Sequence, residues 1–298
     1  GMNQRLLIGV IITECHVDFQ KETLRGIISQ SFRNNTDIVI ISPLHNFFLS
    51  TSHRDMEKSI FDLILSDKFD GFLYDRNTFC NDEIRLHIDN LLIRSDKPVM
   101  LLDSNDYKNF ENTPVDDFNA FEAITDHLID IHNCKKIYCL TGPKNIYVSD
   151  TRLNGYINSM KKHNLFLDKS YYRYGDFWKD AARNFAIDII KNKIDFPDAV
   201  VCGNDSMAIS LIDTFKNHGI RVPEDIAVTG YDASEEGNNF KPSLTGYSRP
   251  NFQLGAEAVR RLYRIIKGKL CKRIPNEIVS LKIGTSCGCC NSTSVPLK

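Results

Sequence analysis

No stretch of the 298-residue sequence is apolar for long enough to span a bilayer. The short apolar run Leu6–Ile12 follows Arg5, but Thr13, Glu14, Cys15 and His16 come next instead of the small residues of a cleavage site. Glu14 before Cys15 also argues against lipoprotein processing, so the run reads as a buried first strand. A long basic run is missing as well, and the formal net charge is −1, which leaves no electrostatic footprint for nucleic acid. The densest cationic stretch, 260–273, interleaves Arg260, Arg261, Arg264 and Lys267 with Val259, Leu262, Ile265 and Ile266 at helical spacing, the pattern of a solvated helix face. There is no Gly-x-Gly-x-x-Gly after a strand, no phosphate loop, no Gly-x-Ser-x-Gly elbow and no recognisable triad. These absences point away from an enzyme. No Gly/Ser-rich linker and no short-period repeat divides the chain.

Nine cysteines are present, an odd number, and most sit in apolar segments, as Cys139 and Cys202 do. With no secretion signal, reduced core thiols are the default. The exception is Cys287-Gly288-Cys289-Cys290. Three thiols in four residues offer metal ligands, but zinc usually takes four, with at least two residues between paired cysteines. No metal and no cofactor is therefore expected.

Apolar residues make up 42% of the chain and charged ones 25%, enough to bury a sizeable core. Gly1 before Met2 has the look of a tag-cleavage scar. Short apolar runs then alternate with amphipathic stretches. Strands are predicted over 5–12, 37–42, 71–74 and 98–102, and helices over 19–32, 55–66 and 84–92. The helix faces expected inward carry Leu24, Ile27, Ile28 and Phe32 in the first, and Met56, Ile60, Leu63 and Ile64 in the second. The pattern restarts with helices at 119–131, 149–163, 179–191, 205–218 and 251–267. The accompanying strands are 136–141, 171–174, 199–202, 226–231 and 277–283. Two α/β units of similar size follow, each a parallel sheet covered by helices.

Ligands of open parallel sheets bind beyond the carboxyl ends of the strands. That rule selects 13–19, Asp75, Arg76 and Asp103 in the first unit. In the second it selects 142–152, 176–178, Asn204, Asp205 and Asp232. Polar groups there can fork onto hydroxyls, while Phe19, Phe177 and Trp178 offer stacking faces, a blend suited to a polar organic ligand such as a sugar.

The most specific segment is Pro197-Asp198-Ala199-Val200-Val201-Cys202-Gly203-Asn204-Asp205-Ser206-Met207-Ala208. It continues through Gly219-Ile220-Arg221-Val222-Pro223-Glu224-Asp225-Ile226-Ala227-Val228-Thr229-Gly230-Tyr231-Asp232. With Arg152-Leu153-Asn154-Gly155-Tyr156, Pro242-Ser243-Leu244-Thr245, Leu254-Gly255 and the Ser-Cys-Gly ending of 278–288, it resembles the effector-binding domain of LacI/GalR-family regulators over about residues 115–289. The first hundred residues match only in pattern.

The resemblance implies a periplasmic-binding-protein-like type I fold, two Rossmann-like parallel-sheet lobes joined by three crossovers near 115–117, 247–249 and 271–277. The N-terminal lobe would comprise 2–115 plus 249–274 and the C-terminal lobe 116–248 plus 275–290, with 291–298 a tail or linker. A small-molecule effector, a sugar or sugar acid, would sit between the lobes. Its expected contacts are Arg152, Asn204, Asp232, Phe177, Arg249, Phe19 and Trp178. Arg152 matches the family arginine that forks onto ligand oxygens, and its removal is expected to cost affinity while leaving the fold intact. Asn204 would serve as cleft amide, helix N-cap, or both. Many relatives carry Gln where Arg249 stands; turned inward, a second cation would favour an anionic ligand over a neutral sugar. His16, Asp18, Asp75 and Asp103 are ordinary loop polars. With Met2 read as a native start, the helix-turn-helix of the family would be lacking, so no direct DNA contact is expected from this chain. A homodimeric, cytoplasmic ligand sensor of transcription regulation is the leading reading. A transport solute-binding protein and an enzyme on the same fold are the alternatives.

Overall fold

The near-continuous apolar runs of the first hundred residues become parallel strands, as fully covered strands must. β1 (Leu6–Ile11), β2 (Thr36–Ile41), β3 (Gly71–Tyr74), β4 (Val99–Leu102) and β5 (Glu111–Thr113) form one parallel sheet ordered β2-β1-β3-β4-β5. The computed structural model describes residues 4–43, 58–270, 280–290 and 293–296. The chain divides into two units, Gly1–Val115 with Pro250–Glu277, and Asp116–Arg249 with Ile278–Lys298.

In the first unit every residue of β3 and β4 is buried. Helices α1 (Asp18–Arg33) and α2 (Asp82–Ser95) belong here, together with a late helix, Asn251–Ile266. Asn81 caps α2 by accepting the Ile84 N–H at 3.1 Å. The core includes Phe61, Phe72, Tyr74, Phe79 and Ile88. α1 and the late helix lie backbone to backbone. A Cβ on Gly26 would fall 1.9 Å from the Phe252 carbonyl oxygen, and one on Gly255 would fall 2.3 Å from that of Thr23.

Two predicted faces are corrected. On α1, Leu24 and Ile27 are buried, but Ile28 is half exposed and Phe32 is 82% exposed. The buried stripe is completed by Gln20, Thr23, Gly26, Gln30 and Ser31, because close helix approach selects small and hydrogen-bonded residues over apolar ones. Of the predicted 55–66 helix, the part over Ser59–Leu65 is a 3-10 segment. Its period of three turns Phe61 and Ile64 inward and leaves Leu63 out. Met56 lies outside the described residues.

The second unit holds a parallel sheet of β6 (Ile137–Thr141), β7 (Tyr172–Tyr174), β8 (Ala199–Cys202) and β9 (Ala227–Thr229), ordered β7-β6-β8-β9. Its helices are α3 (Asp117–Asp130), α4 (Tyr147–Lys162), α5 (Asp180–Ile190), α6 (Asp205–Asn217) and the short α7 (Glu235–Asn239). A parallel bridge from Thr229 to Thr245 leads to an antiparallel sheet of β10 (Gly246–Ser248), β11 (Ser280–Ile283) and β12 (Thr293–Pro296). β12 falls in the stretch that the sequence reads as a tail. Among the described residues, no helix is long and apolar enough to cross a membrane.

Candidate functional site

The carboxyl ends of β6 to β9 present four loops in the second unit, and the site is built from these. Arg152, on the second turn of α4, turns inward and is only 4% exposed. Its Nε donates to Asp117 Oδ2 at 3.0 Å and its Nη1 to the Gly203 carbonyl at 3.0 Å. Asp117 is itself buried at the first turn of α3, and its other oxygen accepts the Tyr231 hydroxyl. The guanidinium carbon stacks 4.2 Å from the Tyr231 ring centroid and 5.5 Å from that of Phe177. Nη2 is bonded to no described residue. Burial alone would push the Asp117 carboxyl up, but Arg152, Arg249 and the Tyr231 hydroxyl outweigh it and hold the group below its usual range.

Asp232 follows β9 with φ at 100°, a backbone region that a residue with a Cβ seldom occupies. Its N–H donates to the Tyr247 carbonyl at 3.0 Å, which fixes the residue. Its carboxyl group is half-buried and accepts no hydrogen bond from any described residue. Burial pushes that carboxyl up to about 7; Arg152 and Arg249 pull it back, while Asp205 and Asp117 add to the rise. Asp205 supports the loop from below. Its Oδ2 accepts from the Ser234 N–H at 2.8 Å and the Ser234 hydroxyl at 2.7 Å, while Oδ1 is buried without a partner. Burial raises this carboxyl to about 6 despite the Ser234 bonds.

Asn204 spends its amide on the fold. Oδ1 caps α6 by accepting the Met207 N–H at 3.0 Å, and Nδ2 donates to the Phe177 carbonyl at 2.9 Å. Phe177 is held at φ 59°, and its ring lies where a Cβ on Gly142 would fall, 2.1 Å from Cζ. Gly142 is therefore what lets the Phe177 ring cross the end of β6 and reach Arg152. Trp178 does not join them. Asp176 holds its N–H at 2.8 Å, but the indole is 56% exposed, with Lys179 Nζ 5.1 Å from its centroid. The second unit thus brings Arg152, Asn204, Phe177, Asp232 and Arg249 together and leaves Trp178 outside.

Phe19 lies in the first unit, half-buried at the second position of α1. His16 and Asp18 are exposed. Arg76 is consumed by a two-pronged bond to Asp89, at 3.1 and 3.0 Å, and by stacking 4.5 Å over Tyr107. Asp103 is buried and accepts the Val115 N–H at 3.0 Å. Sequence reasoning missed Asp117, which it placed at a crossover. The available signal was an acid opening an amphipathic helix that also needed a buried partner for Arg152.

Residues 125–287 match the family model of periplasmic binding protein-like domains, more than half of the chain, and the chain belongs to that family. It is homologous to repressors of the LacI type. It is 28% identical over 268 residues to the HTH-type transcriptional repressor PurR of Photobacterium profundum, covering 90% of this chain and 76% of that protein. It is 26% identical over 271 residues to the repressor CytR of Escherichia coli (strain K12), covering 90% and 74%. Among solved structures, a complex of the transcriptional regulator CelR with cellobiose superposes with a TM-score of 0.81 at 21% identity, covering 95% of this chain and 85% of that one. The lac repressor dimer bound to operator and the anti-inducer ONPF gives 0.79 at 21%, covering 96% and 95%. The fold class read from the sequence is thereby established.

Proposed function

We propose that the chain is the ligand-sensing part of a LacI-type regulator, and that the carboxyl edge of the β6–β9 sheet grips a small polyhydroxylated molecule, a sugar or sugar acid. The observation that carries this reading is Asp232. A carboxyl group at a strained backbone position, raised by burial and bonded to no described residue, is an acceptor held for a partner from outside. A ligand hydroxyl donating to it would supply that partner. Phe177 offers a stacking face and Arg152 its remaining Nη2. Arg249 lies near enough to Asp232 and Asp117 to lower both carboxyl groups, which favours a ligand that also carries an acidic group. The cellobiose seen with CelR supports the sugar class. The relatives are repressors, so the role proposed is binding without turnover in a cytoplasmic homodimer.

A thermal-shift screen of sugars, sugar acids and nucleosides tests this directly. A ligand at a hundredfold its dissociation constant stabilises by about 2.7 kcal/mol. A hit in the first two classes that Asp232→Asn weakens at least about tenfold, the worth of one charge-assisted hydrogen bond, supports the reading. A hit that Asp232→Asn leaves untouched overturns it.

A further inference from the structure

We infer that the second unit carries a structural zinc site made by His127, His132, Cys287 and Cys289. The four ligand atoms lie within 4.8 Å of one another. His127 Nε2 is 3.3 Å from His132 Nε2 and 3.5 Å from each of Cys287 Sγ and Cys289 Sγ. Cys289 Sγ is 3.4 Å from His132 Nε2. Zinc–sulfur bonds of ~2.3 Å and zinc–nitrogen bonds of ~2.05 Å in a tetrahedron require N···N separations of ~3.3 Å and N···S separations of ~3.5 Å. Four of the six spacings are those of a shell around one such cation, and the other two, from Cys287 Sγ to His132 and to Cys289, lie within 4.8 Å.

Local structure explains how distant residues converge. His127 sits in the last turn of α3, and the helix ends where the Ile131 N–H donates to the His127 carbonyl, so His132 folds back beside it. The two imidazole centroids are 5.0 Å apart, edge to face. On the other side, Gly288 at φ 110° separates the two cysteines. A Cβ there would lie 3.1 Å from His132 Nδ1, so glycine both permits the turn and clears the ring. This turn lets cysteines separated by one residue aim at one point. Cys287 is 2% exposed, and the other three ligands are half-buried.

The surroundings suit a thiolate. Thr245 Oγ1 accepts the Gly284 N–H at 2.9 Å, which turns the hydroxyl proton toward Cys287 Sγ at 3.0 Å. A hydroxyl donor to a ligating sulfur is a common outer partner of metal sites. Two imidazoles and two thiols select zinc over calcium or magnesium, which take oxygen. With four protein ligands the site is closed, so the metal acts as a staple from the segment after β11 to the end of α3. Cys290 is exposed and outside the cluster.

The test uses the full chain purified under reducing conditions, with metal measured by mass spectrometry and cobalt(II) substituted for zinc. The expected results are one zinc per chain, and a cobalt spectrum with tetrahedral d–d bands and thiolate-to-metal charge transfer. Cys289→Ser and His132→Gln should lose the metal, Cys290→Ser should keep it, and Thr245→Val should weaken it about tenfold or more. Absence of bound zinc in the reduced chain, or a Cys287–Cys289 disulfide in its place, overturns the proposal. So does loss of metal in Cys290→Ser as complete as in Cys289→Ser. Should either ligand variant fail to fold, the cobalt spectrum of the unaltered chain still decides, because an octahedral spectrum without charge transfer rules the four ligands out.

Discussion

Arg152 Nε lies 3.0 Å from Asp117 Oδ2, and both side chains are almost wholly buried. Each is a charge taken out of water, and each is tolerable only because of the other. Breaking a buried pair by removing one partner typically costs about 3–5 kcal/mol. Arg152→Met and Asp117→Asn are therefore each expected to lower stability by roughly that amount in urea unfolding. The double variant should lose clearly less than the sum. The sequence treats Arg152 as a residue whose removal spares the fold; its burial and its partners say otherwise. Equal stability of Arg152→Met and the parent chain would refute this.

The same pair fixes an acid limit. The Asp117 carboxyl is held below its usual range in the folded chain. Its stabilising contribution is full above the unfolded value and disappears as pH falls through the folded one. Acid unfolding of Asp117→Asn should therefore be shallower with pH than that of the parent, measured by circular dichroism below pH 4.

Asp232 has the opposite sign. Its carboxyl is raised to about 7, so the folded chain prefers it protonated, and stability is progressively lost as pH climbs from the ordinary carboxylate range through 7. Asp232→Asn should raise the melting temperature at pH 8 and leave it little changed at pH 4. Ligand hydroxyls need the ionised acceptor, so affinity should rise between pH 6 and pH 8 in calorimetry. An affinity that falls over that interval would contradict the proposed hydroxyl contact.

Gly142→Ala adds a single methyl group where the Phe177 ring lies. The ring must swing off Arg152, while β6 loses nothing. The expected result is weakened ligand binding with a melting temperature close to that of the parent chain. Asn204→Ala should act on both properties, losing about 1 kcal/mol of cap energy and freeing the Phe177 carbonyl.

Gly26→Ala presses a methyl group into the Phe252 carbonyl, and Gly255→Ala presses one into that of Thr23. Overpacking of this kind typically costs about 1–3 kcal/mol, and helix backbones yield less readily than side chains. Thermal unfolding should show both variants destabilised. If either is as stable as the parent, the two helices are not in backbone contact.

The alternation of apolar runs with amphipathic stretches made the parallel sheets legible, because strands covered on both faces must be apolar throughout. The Gly203-Asn204-Asp205 segment likewise announced the start of α6. β5 and β10 were invisible, since Glu111-Asn112-Thr113 and Gly246-Tyr247-Ser248 are short and lack an apolar run. The α1 face was misread because its contact with the late helix rests on Gly26, the Thr23 backbone and Gln30, which leaves Phe32 to solvent. In the site, the loops after β6 to β9 followed from the strand-end rule, but the division of labour within them did not. The N-cap bond of Asn204 to Met207 was read from the sequence, but nothing local tells that its Nδ2 is spent on Phe177, or that Arg152 is neutralised by Asp117. His127 and His132 gave no signal at all, because their partners are at the far end of the chain.

The late helix packs on β3, β4 and β5, strands made well over a hundred positions before it. On a ribosome, β1 to β5 emerge first, yet must wait for Asn251–Ile266 before their sheet is covered. The β6–β9 sheet has all its strands and the helices between them by residue 229, although 278–298 joins that unit later. The part of the molecule made first is thus left uncovered through most of synthesis, and premature release of the nascent chain would expose its apolar strands to aggregation.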